Sequence, residues 1–420
     1  MLLPLSAADK YAAFRHRPFL FYFLARFLSG FGMQIVSVAV GWQIYDMTRN
    51  PFDLGLVGLI QFMPALVLIL FTGAAADRYG RRTIMLLCEA VIALGSVALI
   101  ALTWHGTTSP LPIFAVLLVI GISRAFFAPA SSALAPNLVP AQDLPNAIAW
   151  NSTAWQTATI VGPVAGGLLY GIAPIAPYVT SLSLFALAIL AISLVLKQPR
   201  RNRSQAQSWT TLMAGFDYIW RQKVVLGAVS LDMFAVLLGG AIALMPVFAR
   251  DVLELGPSGL GWLRASPGIG AIAMAILLAS RPIRHNAGMK MFIAVGVFGA
   301  GTVVFGLSKS LPLSMAALIV MGAADMISVY VRQSLVQLWT PDELRGRVSA
   351  VNSVFIGASN ELGEFRAGSM AALIGPVAAV TIGGAGTLIV ALAWSFGFPV
   401  LRRIQSLDKE RTGKADEPDS

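Results

Sequence analysis

Apolar runs long enough to cross a bilayer recur from one end of this chain to the other, and no other feature restricts its fold as tightly. About 20 consecutive apolar residues are needed for a helix to span the hydrocarbon core. Twelve segments meet that length: 19–45, 54–76, 84–104, 111–135, 146–170, 176–196, 225–249, 257–280, 289–308, 311–338, 349–372 and 377–401. A transmembrane β-barrel would show shorter segments of alternating polarity, which this sequence lacks. The 420 residues are 57% hydrophobic and only 12% charged, too little charge to clothe a soluble protein of this size. The reading is an all-α polytopic membrane protein with twelve transmembrane helices in two six-helix bundles.

The net charge of +10 suggests nucleic acid until its distribution is considered. With twelve spans, the termini and even-numbered connections share one side and hold most of the lysines and arginines. Only Arg49, Arg250 and Lys309 fall on the other. This asymmetry is the positive-inside rule, so both termini are expected in the cytoplasm and the multi-pass chain in the cytoplasmic membrane. The basic charge is therefore topological, no nucleic-acid partner is expected, and some of it suits anionic lipid heads. Cys88 is the only cysteine, which leaves no disulfide framework and no cysteine metal cluster. The start, MLLPLSAADKYAAFRHR, does not have the layout of a signal peptide, so the first span is expected to be retained.

The longest polar stretch, between Lys197 and Lys223, divides the spans six and six. The expected organisation is an N-terminal bundle (1–197), a cytoplasmic linker (198–223), a C-terminal bundle (224–405) and a disordered polar tail (406–420). Sliding the chain by 201 residues aligns Pro140 with Pro341, Asn151 with Asn352, Gly162 with Gly363 and Gly167 with Gly368. At an offset of 203, Gly58 meets Gly261 and Pro64 meets Pro267. These sparse identities fall on corresponding helices and suggest a duplicated six-helix unit. Two related bundles around a midplane site is the layout of rocking secondary transporters. One chain holds both bundles, so a monomer suffices.

The turn after the second span reads Gly73-Ala-Ala-Ala-Asp77-Arg78-Tyr-Gly80-Arg81-Arg82. Gly73 admits a close backbone neighbour, Asp77 can meet the positive end of a helix, and Arg81 and Arg82 can clamp acidic groups. An ordinary positive-inside loop would also carry such arginines. The turn resembles the G-x-x-x-D-R-x-G-R-R pattern of the major facilitator superfamily, and that resemblance extends over the whole chain. It implies a conformational latch formed by Gly73, Asp77, Arg78, Gly80, Arg81 and Arg82. The second-half counterpart, from Ala279 to Arg284, keeps two arginines but lacks the acid.

The fifth span contains Gly162-Pro163-Val-Ala-Gly166-Gly167. Proline favours a kink and the glycines permit close packing. This core resembles the GP-x-x-GG signature of the superfamily's antiporters, although Ala149 and Ala158 stand where upstream glycines are usual. Three longer stretches are similar to the branch that includes the enterobactin exporter and related efflux permeases: 42–64, 261–271 and 331–365. The resemblance implies proton-coupled export of siderophores, macrolides or other bulky amphiphiles. It also implies an acid near position 366, where this chain has Arg366.

Ten ionisable residues fall inside the spans: Arg26, Glu89, Arg124, Asp232, Arg264, Asp325, Arg332, Glu361, Glu364 and Arg366. Each costs roughly 2.5–3.5 kcal/mol at a helix centre on insertion scales. Pairing inside a partly wet cavity lowers that cost. Glu361 and Glu364 share a helix face, and Asp325 and Arg332, seven apart, share another. A single network of Arg264, Arg332 and the two glutamates is expected, with Asp232 contributing. Arg366 is expected to approach the flank of Glu361 or to snorkel along its helix. Two carboxylates held close disfavour ionisation of both, and proton coupling needs a carboxyl that changes protonation. Glu361 and Glu364 are therefore candidate proton carriers, alongside Arg124, Asp325, Arg332, Asp232 and Arg264. A static ion-pair cluster and direct substrate contact remain open readings. Arg124 resembles the family's fourth-helix arginine implicated in proton transfer. Gln34, Gln61, Phe126, Phe127, Trp150, Trp155 and Gln156 are candidates for lining a substrate cavity.

The histidines, His16, His105 and His285, fall in predicted loops or at helix ends, and no HExxH or phosphate-loop motif occurs. Covalent, metal and ATP-driven chemistry therefore have no visible seat. The expectation is a non-enzymatic exporter of small amphiphilic molecules, energised by the proton gradient and requiring no cofactor. Proton-coupled uptake and a non-transporting membrane sensor are the alternatives.

Overall fold

A computed structural model describes residues 11–68, 71–72, 75, 79–195, 209–283 and 285–405. Among these residues the chain is helical and no strand occurs. The helices are α1 (Arg17–Thr48), α2 (Pro51–Val67), α3 (Arg81–Trp104), α4 (Leu111–Leu134), α5 (Leu144–Ile172) and α6 (Ala176–Leu194), followed by α7 (Trp209–Arg221). The second half continues with α8 (Lys223–Gly239), α9 (Pro257–Ser280), α10 (Ala287–Leu307), α11 (Leu311–Trp339), α12 (Asp342–Ile374) and α13 (Pro376–Gly397). Nine helices among the described residues are long and apolar enough to cross a membrane, one of them α8 counted with its continuation to Val252. Helix α2 is apolar but shorter. Helices α5 and α12 are long enough, but Asn, Gln and Thr in α5 and charged residues in α12 lower their hydropathy.

Prolines mark where many of these helices begin. Helices α4, α5, α6, α9, α11 and α13 each have one at the first or second position. There the missing N–H has no intrahelical acceptor to lose and the fixed φ suits the first turn.

Contacts divide the chain into two compact units. The first comprises Met1–Val40 and Met63–Gln207, the second Gly41–Phe62 and Ser208–Ser420. The end of α1 and most of α2 thus belong with the second unit. The core of the first unit gathers Phe19, Tyr22, Met85, Phe127, Leu134 and Ile192. In the second, Leu231, Met291, Phe292, Leu335 and Leu401 form one cluster, and Ile219, Val225, Val336 and Val348 form another.

The later part of the predicted linker is helix α7, and the earlier residues, 198–208, lie outside the described residues. Ile219 joins the Val336 and Val348 cluster, and the Tyr218 hydroxyl donates to the Trp339 carbonyl. Burial raises the Tyr218 pKa above its ordinary value. The tail, 406–420, also lies outside the described residues.

Candidate functional site: carboxylates and guanidiniums inside the second unit

Two charged clusters occupy the second unit. In the first, Glu361 and Glu364 project from α12 toward α2. A Cβ built on Gly58 would stand 2.6 Å from Glu361 Oε2 and 3.1 Å from Glu364 Oε2. Both carboxylates therefore converge on one bare patch of α2 backbone. The helices meet closely because small residues face each other along the seam: a Cβ on Gly55 would lie 3.1 Å from the Phe365 carbonyl, and one on Gly368 would lie 2.7 Å from the Pro51 carbonyl. The guanidinium of Arg264 on α9 is the positive charge facing both carboxylates. Its Nη2 would lie 3.9 Å from a Cβ on Gly41, near the end of α1.

The second cluster joins α8, α11 and α12. Arg332 is 2% exposed, pairs with Asp232 at 3.3 Å, and donates to Asn352 Oδ1 at 3.2 Å. Asp325, one face along α11 from Arg332, lies within electrostatic reach of both Arg332 and Asp232. The single network expected from sequence is thus two groups. Arg264 serves the glutamates, whereas Arg332 serves Asp232, Asp325 and Asn352.

Arg366 does neither of the things expected of it. Its Nε donates to the Leu237 carbonyl at 2.9 Å and its Nη2 to the Leu238 carbonyl, while Nη1 lies 2.9 Å from Met370 Sδ. These carbonyls end α8, where the chain breaks at Gly240 before the 3-10 turn Ile242–Leu244. Terminal carbonyls lack intrahelical donors and carry the negative end of the helix dipole. Arg366 meets both needs, so the absence of an acid at this position is matched by an acceptor pair of backbone origin.

A third ionic group, not anticipated from sequence, links the end of α1 to the segment Phe248–Val252. Arg250 pairs with Asp46 and lies over the Trp42 ring at 5.4 Å. Asp251 accepts from the Tyr45 hydroxyl and pairs with Arg49 at 3.2 Å. Opposite charges at a span end give only a weak sequence signal, because their partners are some 200 residues away.

In the first unit, Gly73, Asp77 and Arg78 lie outside the described residues. The remainder of that motif has concrete partners. Gly80 precedes α3 in extended conformation. Arg81 Nη1 donates to the Ala133 carbonyl at 2.6 Å, and Arg82 donates to the Ile192 and Ser193 carbonyls. The arginines thus hold the C-terminal ends of α4 and α6.

The Gly162-Pro163 motif lies in continuous helix. A Cβ on Gly162 would come 2.6 Å from Gln34 Cβ, and one on Gly166 would come 3.0 Å from the Ile35 carbonyl. Pro163 and Gly167 are buried beside them. The motif therefore sets the close approach of α5 to α1. Glu89 is buried, with Ser29 and Arg26 as polar neighbours, and Arg26 sits 5.7 Å from the Phe127 ring centre. Arg124 is on the exposed side of α4.

The cavity candidates separate. Gln34 Nε2 donates to Thr159 at 3.4 Å, and Gln61 Nε2 donates to Val57 of its own helix at 3.3 Å. Trp150 belongs to an aromatic group with Tyr11, Phe14 and Phe23, and Phe126 packs against the core. Phe127 is a buried core residue. Trp155 is 51% exposed and Gln156 is half-buried on the same helix.

The family model described as transmembrane secretion effector matches residues 8–419. The enterobactin exporter EntS of Escherichia coli is 26% identical over 426 residues, covering 98% of each chain, and the Shigella boydii exporter of the same name is equally similar. A transporter of the POT family solved with 5-aminolevulinic acid superposes with a TM-score of 0.73 at 12% identity, covering 92% of this chain and 96% of that one. A bacterial homologue of the iron transporter ferroportin gives 0.69 at 14% identity, covering 92% and 99%. The chain belongs to the transmembrane secretion effector family of major facilitator transporters.

Proposed function

We propose that this protein exports a small amphiphilic molecule, siderophore-like, macrolide-like or drug-like, across the cytoplasmic membrane by proton antiport. Its membership in a secretion family and its full-length similarity to enterobactin exporters support outward transport. The observation that carries the coupling is the convergence of Glu361 and Glu364 on Gly58, within electrostatic reach of the Arg264 guanidinium. A proton on either carboxylate weakens the pair's attraction for Arg264. Protonation of the pair from outside loosens its hold on Arg264, and deprotonation toward the cytoplasm restores it. Alternating access couples that cycle to substrate release, with the Gly73–Arg82 motif as latch. Trp155 and Gln156 are offered to the substrate. The monomer, with both termini in the cytoplasm, is the working unit, and the proton gradient is the energy source.

The test uses purified protein in liposomes containing an internal pH dye, with siderophores and macrolides supplied under an imposed proton gradient. Substrate-dependent proton flux in the wild type that disappears in E361Q/E364Q is the expected result. Undiminished flux in the double variant would remove the pair from the coupling step and leave it a structural cluster.

A further inference from the structure

The second charged cluster contains more negative than positive charge, and the space to correct it. Asp232 and Asp325 bring two carboxylates to one guanidinium, that of Arg332. Arg332 divides its Nη donors between Asp232 and the Asn352 side-chain oxygen. Burial makes an uncompensated charge costly, so such a group favours a second cation.

A cavity of about 10 Å³ lies between α8, α10 and α11, lined by Asp232, Asp325 and Ser328. That is roughly the room one water-sized particle requires. Ser328 is 2% exposed, and its hydroxyl has no hydrogen-bond partner among the described residues. A buried hydroxyl without a partner is uncommon and calls for a water or an ion beside it. The wall from α10 is apolar, formed by Ala294, Val295 and Phe298, so it adds no competing charge. Asp325 and Ser328 are three residues apart on α11 and point to the same side, with Asp232 opposite on α8.

We infer that Asp232, Asp325 and Ser328 form a binding site for one small monovalent cation, sodium or lithium, that neutralises the buried cluster. The donors are all oxygens, which suits hard cations and disfavours the softer transition metals. Room for one water-sized particle suits a single alkali cation. A proton on Asp325 would neutralise the same charge, so proton and sodium compete for the cluster. The charged and polar groups facing Asp325 are Asp232 from α8, Arg332 from α11 and, through Arg332, Asn352 from α12. This site is separate from the Glu361/Glu364 pair, and its failure would leave the coupling proposal standing.

The experiment is thermal unfolding of the purified full chain at pH 8 in sodium, lithium, potassium or choline chloride at equal ionic strength. The wild type should melt several degrees higher in sodium or lithium chloride than in choline chloride. D325N, which supplies neutrality itself, should melt in every salt near the wild type in sodium, S328A, which removes one donor, should melt near the wild type in choline, and neither should show a sodium gain. Equal melting of the wild type in all four salts would overturn the site. A sodium gain that persists in both variants would place the cation elsewhere and overturn it equally.

Discussion

Replacing Gly58 with alanine tests the geometry on which the coupling proposal stands. The new methyl would lie 2.6 Å from Glu361 Oε2 and 3.1 Å from Glu364 Oε2, against an ordinary contact distance of 3.4 Å or more. Glu361 must then retreat by roughly 0.8 Å, and Glu364 by less. Both carboxylates end flexible side chains, so they yield before the helices do. Overpacking costs about 1–3 kcal/mol, and alanine returns about 1 kcal/mol of helix propensity. The net loss of stability should stay below about 2 kcal/mol. Function should suffer more, because a misplacement near 1 Å can lower a positioned step by about 100-fold. Substrate-driven proton flux in liposomes should therefore fall by about 10- to 100-fold while the melting curve moves little. Shortening Glu361 to aspartate in the same chain removes one methylene beneath the new methyl and should restore part of the flux. If G58A transports at the wild-type rate, the carboxylates do not need the room Gly58 gives them and the argument fails.

Two further substitutions probe the supports around the site. R366M should leave the Leu237 and Leu238 carbonyls without their side-chain donors, at about 1–3 kcal/mol for each. The check is chemical or thermal unfolding, and an unchanged midpoint would show that other donors serve those carbonyls. R332M strips Asp232 of its partner in a buried setting and should cost about 3–5 kcal/mol. Adding D232L to R332M should recover most of that loss, since an apolar pair replaces a broken ionic one, and failure of the double variant to recover would point to Asp325 as the dominant liability.

Hydropathy made the spans legible because a bilayer requires apolar length regardless of what lies beside it. Facing was not legible. Helix α1 is apolar around nearly its whole circumference, so no stripe indicates which side meets a neighbour. Spacing likewise placed Glu361 and Glu364 on one face of α12, but nothing in the sequence placed Gly58 of α2 opposite them. The spacing Gly55-x-x-Gly58 was the available signal, a small-residue seam of the kind that lets helices approach. Arg366 was misread because its partners are backbone carbonyls, which every residue carries and no sequence distinguishes. The reading of one network failed on the same ground: Arg264 and Arg332 are alike in sequence, and only their helices' neighbours assign each its acids. Trp150 illustrates the reverse case, an aromatic proposed for a cavity that instead completes a ring cluster with Tyr11, Phe14 and Phe23.

The broken end of α8 has a consequence for how the chain is made. Its last carbonyls need donors that lipid cannot supply, and the guanidinium that supplies them is translated 128 residues after Leu238. Between those two moments the nascent second half holds an unfinished helix, which is tolerable only beside water or within the insertion machinery. The final fold of α8 must therefore wait for α12 to enter the membrane. Chains stopped before residue 366 should remain with that machinery or be degraded, while chains stopped just after α12 should already hold a mature α8. The first long helix of the second half is thus completed by a side chain of the fifth.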